Sequence, residues 1–408
     1  MFGRSVAATS TWHRNFAWGD GELLSFQKIS LLIIAGGRSS RMGVDKRFVE
    51  IGGVSLLETI LRKSAAIEFA EKFLCVEDEL PALTELATRY GARLLVDEIK
   101  NSGPLSALAN GLGRIKTQWV LAVSVDMPFF EFDSVAKLTE RFSTVQAVLP
   151  EIDGRAQPLA GFYRRELSEF FRREVLNGRR KIMAAVKKIP HELAVVEDDV
   201  TFFNVNTVGE MKLARGRAEN LRREIPLITV TAPVSGTGKT TFIERLTARL
   251  TLRGVKVGVI KSDAHEFNLD MKGKDSYRFQ EAGAQSVAVV SKSGWFLINR
   301  TTERAELSSL TTHMNGVDII LIESRAHGTF PAISLWRGLG EKILRDDVVA
   351  LFTTELERTA DIFQFDINDM ADAETLCLFL AGEVRGSALR SRASLHSMLQ
   401  ISRPQFSH

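Results

Sequence analysis

Two segments of this 408-residue chain place glycines beside cations in a way suited to holding phosphates. The first reads Ala35-Gly36-Gly37-Arg38-Ser39-Ser40-Arg41-Met42-Gly43-Val44-Asp45-Lys46. Paired glycines after an apolar run let backbone N–H groups approach phosphate oxygens with no Cβ in the way. Arg41 and Lys46 add two cations, able to neutralise a triphosphate and a departing pyrophosphate. The second segment, Ser235-Gly236-Thr237-Gly238-Lys239-Thr240-Thr241, holds the heart of a Walker A loop. Its amides would wrap phosphates, Lys239 would reach the β/γ oxygens, and Thr240 would ligate Mg2+. Pro233 replaces the first glycine of that motif, fixing φ and removing a donor.

Carboxylates follow at intervals. Asp126 closes Leu121-Ala122-Val123-Ser124-Val125-Asp126-Met127-Pro128, where a strand-end carboxylate can hold Mg2+ against nucleotide phosphates. A turn-initiating Asp before Pro is the plainer alternative for that residue alone. Asp97 follows Val96, and Glu323 ends the apolar run 318–323.

The elements that must position these residues are strands feeding loops and helices. Apolar runs at 29–34 and 227–231 lead directly into the two glycine loops, which is how α/β nucleotide domains open. Further strands are expected at 72–76 and 93–96, both short and buried, and at 119–125, 146–150 and 161–163. Helices are expected at 55–67 and 80–90. The fold class is therefore α/β, beginning with a Rossmann-like domain whose sheet is mostly parallel and covered on both faces. Strands at 255–261, 286–291, 318–323 and 347–352 build a second, P-loop α/β domain. Residues 208–224 read as a closing helix with charged faces, ending before Pro226. The expected division is an extension at 1–28, domains at 29–224 and 225–385, and a disordered tail at 386–408, rich in Ser and Arg.

The first loop resembles the signature of the molybdenum cofactor guanylyltransferases (MobA). The resemblance implies that Ile34, Ala35, Gly36 and Lys46 contact GTP, with Gly37 in the same loop. It makes Asp126 the Mg2+ ligand, also touching GTP, and Asp97 a second nucleotide contact. The double glycine favours the guanylyl branch over cytidylyl relatives, which tend to have alanine at Gly36. Ser102-Gly103-Pro104-Leu105-Ser106-Ala107-Leu108 resembles the family's Gly-Pro-Leu loop, and 157–164 its stretch near the acceptor. Phe203-Asn204-Val205-Asn206-Thr207 matches its Asn-x-Asn-Thr motif. Asn204 and Asn206 either order the acceptor or satisfy loop backbone. Some members use an asparagine near the end of the second strand, where this chain reads Leu74-Cys75-Val76-Glu77, so no contact is carried over. The implied reaction is attack of a molybdopterin phosphate on the α-phosphorus of GTP, with Lys46, Arg41 and Asp126 as its catalytic group.

The second half is similar to MobB, the GTP-binding partner of that transferase. Matching stretches are 258–261, 273–278, 281–284 and 318–323, where Glu323 would serve Mg2+ or its water. Ser262-Asp263-Ala264-His265 stands where histidines are common, and Ser324-Arg325 where glycine is usual, so hydrolysis and an adapter role stay open. The implied partners are GTP, molybdenum-molybdopterin, a molybdenum insertion protein, and apo-molybdoenzymes or their chaperones. Rival readings are a CTP-using or sugar-nucleotide transferase, and a cofactor carrier or chaperone.

Bulk properties narrow this further. With 53 Lys+Arg against 50 Asp+Glu, the net charge of +3 argues against nucleic acid or an anionic membrane as main partner. Cys75 and Cys377 lack metal or redox spacing, and no apolar run is long enough to span a bilayer. A cytoplasmic location is expected. The N-terminal extension has Arg4 and Arg14 but no sustained apolar region, against a secretory signal. His265, His313 and His327 are too scattered for a metal site.

Overall fold

The computed structural model describes residues 26–36, 43, 45–100, 102–197, 200–262, 275–301, 305–325, 330–357, 361–382 and 398–399. In the N-terminal half the strands are β1 (Ile29–Ile34), β2 (Lys72–Val76), β3 (Arg93–Val96), β4 (Trp119–Ser124), β5 (Ala147–Ile152), β6 (Ala160–Arg164) and β7 (His191–Val195). They line up as β7-β5-β6-β4-β1-β2-β3, with Arg155–Ala156 added beside β5. All six residues of β1 are buried, as a strand flanked by parallel neighbours and covered on both faces requires. The register pairs Ile34 with both Cys75 and Ser124. The carboxyl ends of β2, β1 and β4 are thereby level, so Gly36, Glu77 and Asp126 share one sheet edge.

One expectation is corrected, and one strand departs from the parallel direction within a sheet that is mostly parallel as expected. β3 is an edge strand rather than a buried one: Arg93 and Val96 are exposed, because only β2 pairs with it. β6 runs antiparallel to both β4 and β5. The chain leaves β5 through Asp153 and Gly154, both at positive φ, and such a tight turn can only return the chain antiparallel. Gly161 in β6 is tightly packed, since a Cβ there would lie 2.4 Å from Leu149.

In the C-terminal half, β8 (Leu227–Thr231), β9 (Val257–Lys261), β10 (Ile319–Glu323), β11 (Ala332–Trp336), β12 (Val348–Thr353) and β13 (Phe363–Asp366) form an all-parallel sheet in the order β9-β10-β8-β11-β12-β13. The expected strand at 286–291 forms over Ser286–Val290, but it pairs with Trp295–Asn299 in a separate hairpin outside this sheet. β11 and β13 escaped the sequence reading.

Five helices frame the sites: α1 (Leu56–Ala65), α2 (Pro104–Arg114), α3 (Val208–Asn220), α4 (Lys239–Leu252) and α5 (Met370–Ala381). α3 starts at a capping box in which Thr207 and Glu210 each satisfy the other's backbone N–H. Its charged sequence suggests a solvated helix, yet Glu210, Leu213, Ala214, Gly216, Arg217 and Asn220 are all buried. The reason is that both halves pack on it. On one side Arg215 Nε donates to Glu50 O at 3.1 Å, in the hairpin of Glu50–Ile51 and Val54–Ser55, and Arg222 donates to Gly52 O. On the other, a Cβ at Gly216 would lie 2.9 Å from Pro331 and 3.0 Å from Val349. One hydrophobic cluster accordingly runs from Val49 and Phe203 through Leu213 to Phe352 and Leu380.

Most of the expected disordered tail lies outside the described residues. Met398 and Leu399 are an exception, buried in that shared cluster by apolar contacts a Ser/Arg-rich composition does not announce. Cys75 and Cys377 are free and buried, and burial pushes both thiols well above their ordinary range. Among the described residues no helix is long and apolar enough to cross a membrane.

Candidate functional site

Lys46 opens a 3-10 turn, Lys46–Phe48, whose N-cap Asp45 accepts from Arg47 N at 3.0 Å and ion-pairs with the Arg47 guanidinium at 2.6 Å. Burial alone would raise the Asp45 carboxyl, but the Arg47 hydrogen bonds and charge hold it below its ordinary value. The turn aims Lys46 Nζ at Asp126 Oδ2 (3.1 Å) and Asn206 Oδ1 (3.0 Å). Asp126 stands just past β4 and Asn206 just before α3, and Val205 N donates to Asp126 O at 2.8 Å. Three separated pieces of chain therefore meet at one ammonium group. The second Asp126 oxygen, Oδ1, is buried and accepts no hydrogen bond among the described residues. A buried carboxylate oxygen without a donor is costly unless a cation completes it, so the residue fits a divalent-ion ligand. No three His, Cys, Asp or Glu cluster as a metal site among the described residues, so substrate oxygens and water would have to supply the remaining ligands.

Asn204 and Asn206 part company. Asn204 Nδ2 donates to Phe202 O at 2.8 Å, satisfying loop backbone, whereas Asn206 turns to Lys46. On the far side of β1, Ala35 N bonds Cys75 O and Asp97 N bonds Val76 O, placing Ile34, Ala35, Gly36 and Asp97 along the same edge. Asp97 is buried and accepts from Ser106 Oγ (2.8 Å) and Ile99 N (3.3 Å). Burial dominates and pushes its carboxyl upward despite these donors. Gly103 adopts φ 74°, a left-handed turn that starts α2 at Pro104. Gly37 and Arg41 lie outside the described residues, as do His265 and His327.

In the second loop Gly236 and Gly238 adopt φ of 77° and 98°, which only glycine takes without strain, and α4 begins at Lys239. Thr240 Oγ1 lies 3.1 Å from both carboxylate oxygens of Glu323, at the end of β10. Lys239 and Thr237 are buried; Ser235 and Thr241 are exposed at the two ends of the loop. Pro233 is accommodated by a glycine across from it: a Cβ at Gly340 would lie 3.2 Å from the proline ring.

Two family models match, in series. Residues 31–192 match the MobA-like NTP transferase domain, and residues 227–354 match Molybdopterin guanine dinucleotide synthesis protein B (MobB). The molybdopterin-guanine dinucleotide biosynthesis adapter protein of Escherichia coli K12 is 36% identical over 154 residues, covering 36% of this chain and 87% of the relative. The chain belongs to the MobB family, with a MobA-like nucleotidyltransferase domain ahead of it. A probable molybdenum cofactor guanylyltransferase of Clostridium perfringens is 28% identical over 193 residues, 45% of this chain and 94% of the relative. The solved structure of molybdopterin-guanine dinucleotide biosynthesis protein A from Archaeoglobus fulgidus is 25% identical, covers 46% of this chain and 96% of its own, and superposes with a TM-score of 0.41. The chain is thus a nucleotidyltransferase enzyme of molybdenum cofactor biosynthesis.

Within the MobB domain, Arg337 escaped the sequence reading. It follows β11 and donates from Nε to Thr237 O at 3.1 Å, bracing the glycine loop from 100 residues away. Within the MobA-like domain, Ser106 was read only as part of a loop match, not as the donor that holds Asp97. Arg337 carries no local signal because its partner is distant in sequence, and Ser106, 9 residues from Asp97, meets it only through the turn at Gly103.

Proposed function

We propose that the MobA-like domain transfers GMP from GTP to molybdenum-loaded molybdopterin, and that the MobB domain holds GTP as a fused adapter. The observation that carries this reading is the convergence of Lys46, Asp126 and Asn206 at the glycine-loop edge of the sheet. A phosphate oxygen of molybdopterin attacks the α-phosphorus of GTP. A new P–O bond forms, the α–β bridge breaks, and pyrophosphate leaves with the electron pair. The acceptor is already an anion, so the protein need supply no nucleophile, only position and positive charge. Lys46 bears on the phosphates, with Arg41 as a second cation. Ile34, Ala35, Gly36 and Gly37 line the nucleotide, and Asp97 faces its polar groups. Asp126 would hold Mg2+, which neutralises phosphate charge when bound.

In the MobB domain, Ser235 to Thr241 would cradle a second triphosphate, with Thr240 and Glu323 jointly positioned for Mg2+. Ser324 and Arg325 in place of glycine favour holding over hydrolysis. A molybdenum insertion protein would supply the acceptor, and apo-molybdoenzymes or their chaperones would receive the product. The two unpaired, buried thiols suit a reducing cytoplasm.

The test is to incubate the full chain with Mg2+, molybdate-loaded molybdopterin and either GTP or CTP, measuring dinucleotide cofactor and pyrophosphate. GTP-selective product, lost in Asp126→Ala, is the expected result. Efficient use of CTP would move the chain to the cytidylyl branch, and no product with either nucleotide would favour a carrier.

A further inference from the structure

The short turn that aims Lys46 at Asp126 also presents an aromatic ring outside the core: Phe48 is 40% exposed. It lines a cleft of about 540 Å3 together with Val208, Met211, Glu50 and Arg215. That size suits a small molecule, since ligand pockets commonly run to roughly 300–1,000 Å3. Its two walls start at the reaction centre. One is the chain running on from Lys46; the other is the opening of α3, which begins beside Asn206, and those two residues are hydrogen-bonded at 3.0 Å.

The lining specifies an occupant. Phe48, Met211 and Val208 offer apolar contact and one aromatic face, which suits a flat ring and not a phosphate. Arg215 Nε is engaged by Glu50 O, and Asp45, also in the lining, is engaged by Arg47. The Glu50 carboxylate is exposed and has no hydrogen bond or ion pair with another described residue, so it is available to N–H donors. Asp97, the expected second nucleotide contact, stands at the end of β3 beyond β2, on the opposite side of β1 from β4 and the Lys46–Asp126 pair, which leaves the α3 side to the acceptor.

We propose that this cleft seats the pterin ring of the acceptor, stacked on Phe48 with its ring and exocyclic N–H groups turned toward Glu50. The proposal rests on the guanylyl-transfer reading and gives its acceptor a place. From there the acceptor's phosphate reaches Lys46 while its ring lies against α3.

Steady-state kinetics of the full chain with molybdate-loaded molybdopterin and GTP test it. Phe48→Ala should raise the KM for molybdopterin about tenfold, the loss of one aromatic stacking contact, with the KM for GTP at its wild-type value. Phe48→Trp should restore it, and Glu50→Gln should raise the same KM alone. An unmoved acceptor KM, or a GTP KM rising in step with it, would overturn the cleft. Equilibrium dialysis of molybdopterin without GTP reads the cleft separately from turnover. Weaker retention by Phe48→Ala than by wild type supports it even if no GMP is transferred, and equal retention refutes it even if transfer proceeds.

Discussion

At the scale of single residues, Lys46 is the point at which three stretches of the MobA-like domain meet. Its ammonium group is held between a carboxylate and an amide oxygen, 80 and 160 residues away in sequence. A pre-positioned cation of this kind contributes to rate because it needs no reorganisation when charge develops on the phosphates. Lys46→Ala should lower kcat for pyrophosphate release about 10²–10³-fold, with the fold intact, since the side chain touches solvent as well as Asp126. A loss below threefold, measured by continuous pyrophosphate detection, would remove Lys46 from the catalytic group. The resemblance singled out Lys46 and Asp126 by their spacing. It could not say that Asn206 rather than Asn204 meets the lysine, because that choice depends on how the loop before α3 is folded.

At the scale of elements, helix starts carry much of the local order. Asp369 caps α5, its carboxylate accepting from the backbone N–H of Ala371 and Asp372. Asp372 itself is pushed up to about 6 by burial and by the charge of Asp369. The neutral form of Asp372 is therefore favoured by folding. Its contribution is fully present below the unfolded value near 3.8 and is lost as pH rises through about 6. Asp372→Asn should raise Tm at pH 7–8, with the gain shrinking to nothing near pH 4, as thermal melts across that range would show. A Tm gain independent of pH would point to packing instead. Most strands were legible as apolar runs, β3 and 286–290 included, though β11 and β13 were not. That β3 lies at the sheet edge and 286–290 in a separate hairpin was beyond reach, because a run's composition does not reveal how many neighbours it will have.

At the scale of the whole molecule, α3 joins the two halves more closely than a linker would. Arg217 lies buried with its guanidinium over the rings of Phe129 and Phe379, one from each half, and donates to Phe379 O. Lys212 Nζ donates to Arg345 O at 3.2 Å across the same boundary. The halves should therefore unfold in one calorimetric transition. Gly216→Ala should lower that transition as a unit: the added Cβ meets Pro331, Val349 and Leu380, and overpacking of about 1–3 kcal/mol outweighs the roughly 1 kcal/mol of helix propensity gained. Two separate transitions in the wild type, or a shift confined to one of them, would show that the halves fold independently.

The sequence alone determined the chemistry available and the order in which it is delivered. Glycine loops after apolar runs, Lys46, Asp126, Thr240 and Glu323 were readable because each motif is local, and the backbone near it can adopt few conformations. Tertiary structure decided which of these residues meet, which oxygen of Asp126 is buried without a donor, and that Thr240 lies against Glu323. It also decided that a helix rich in charge is buried. That outcome was beyond local reading because burial depends on what packs against a segment, and α3 is covered by β12, α5 and a hairpin that come from opposite halves of the chain.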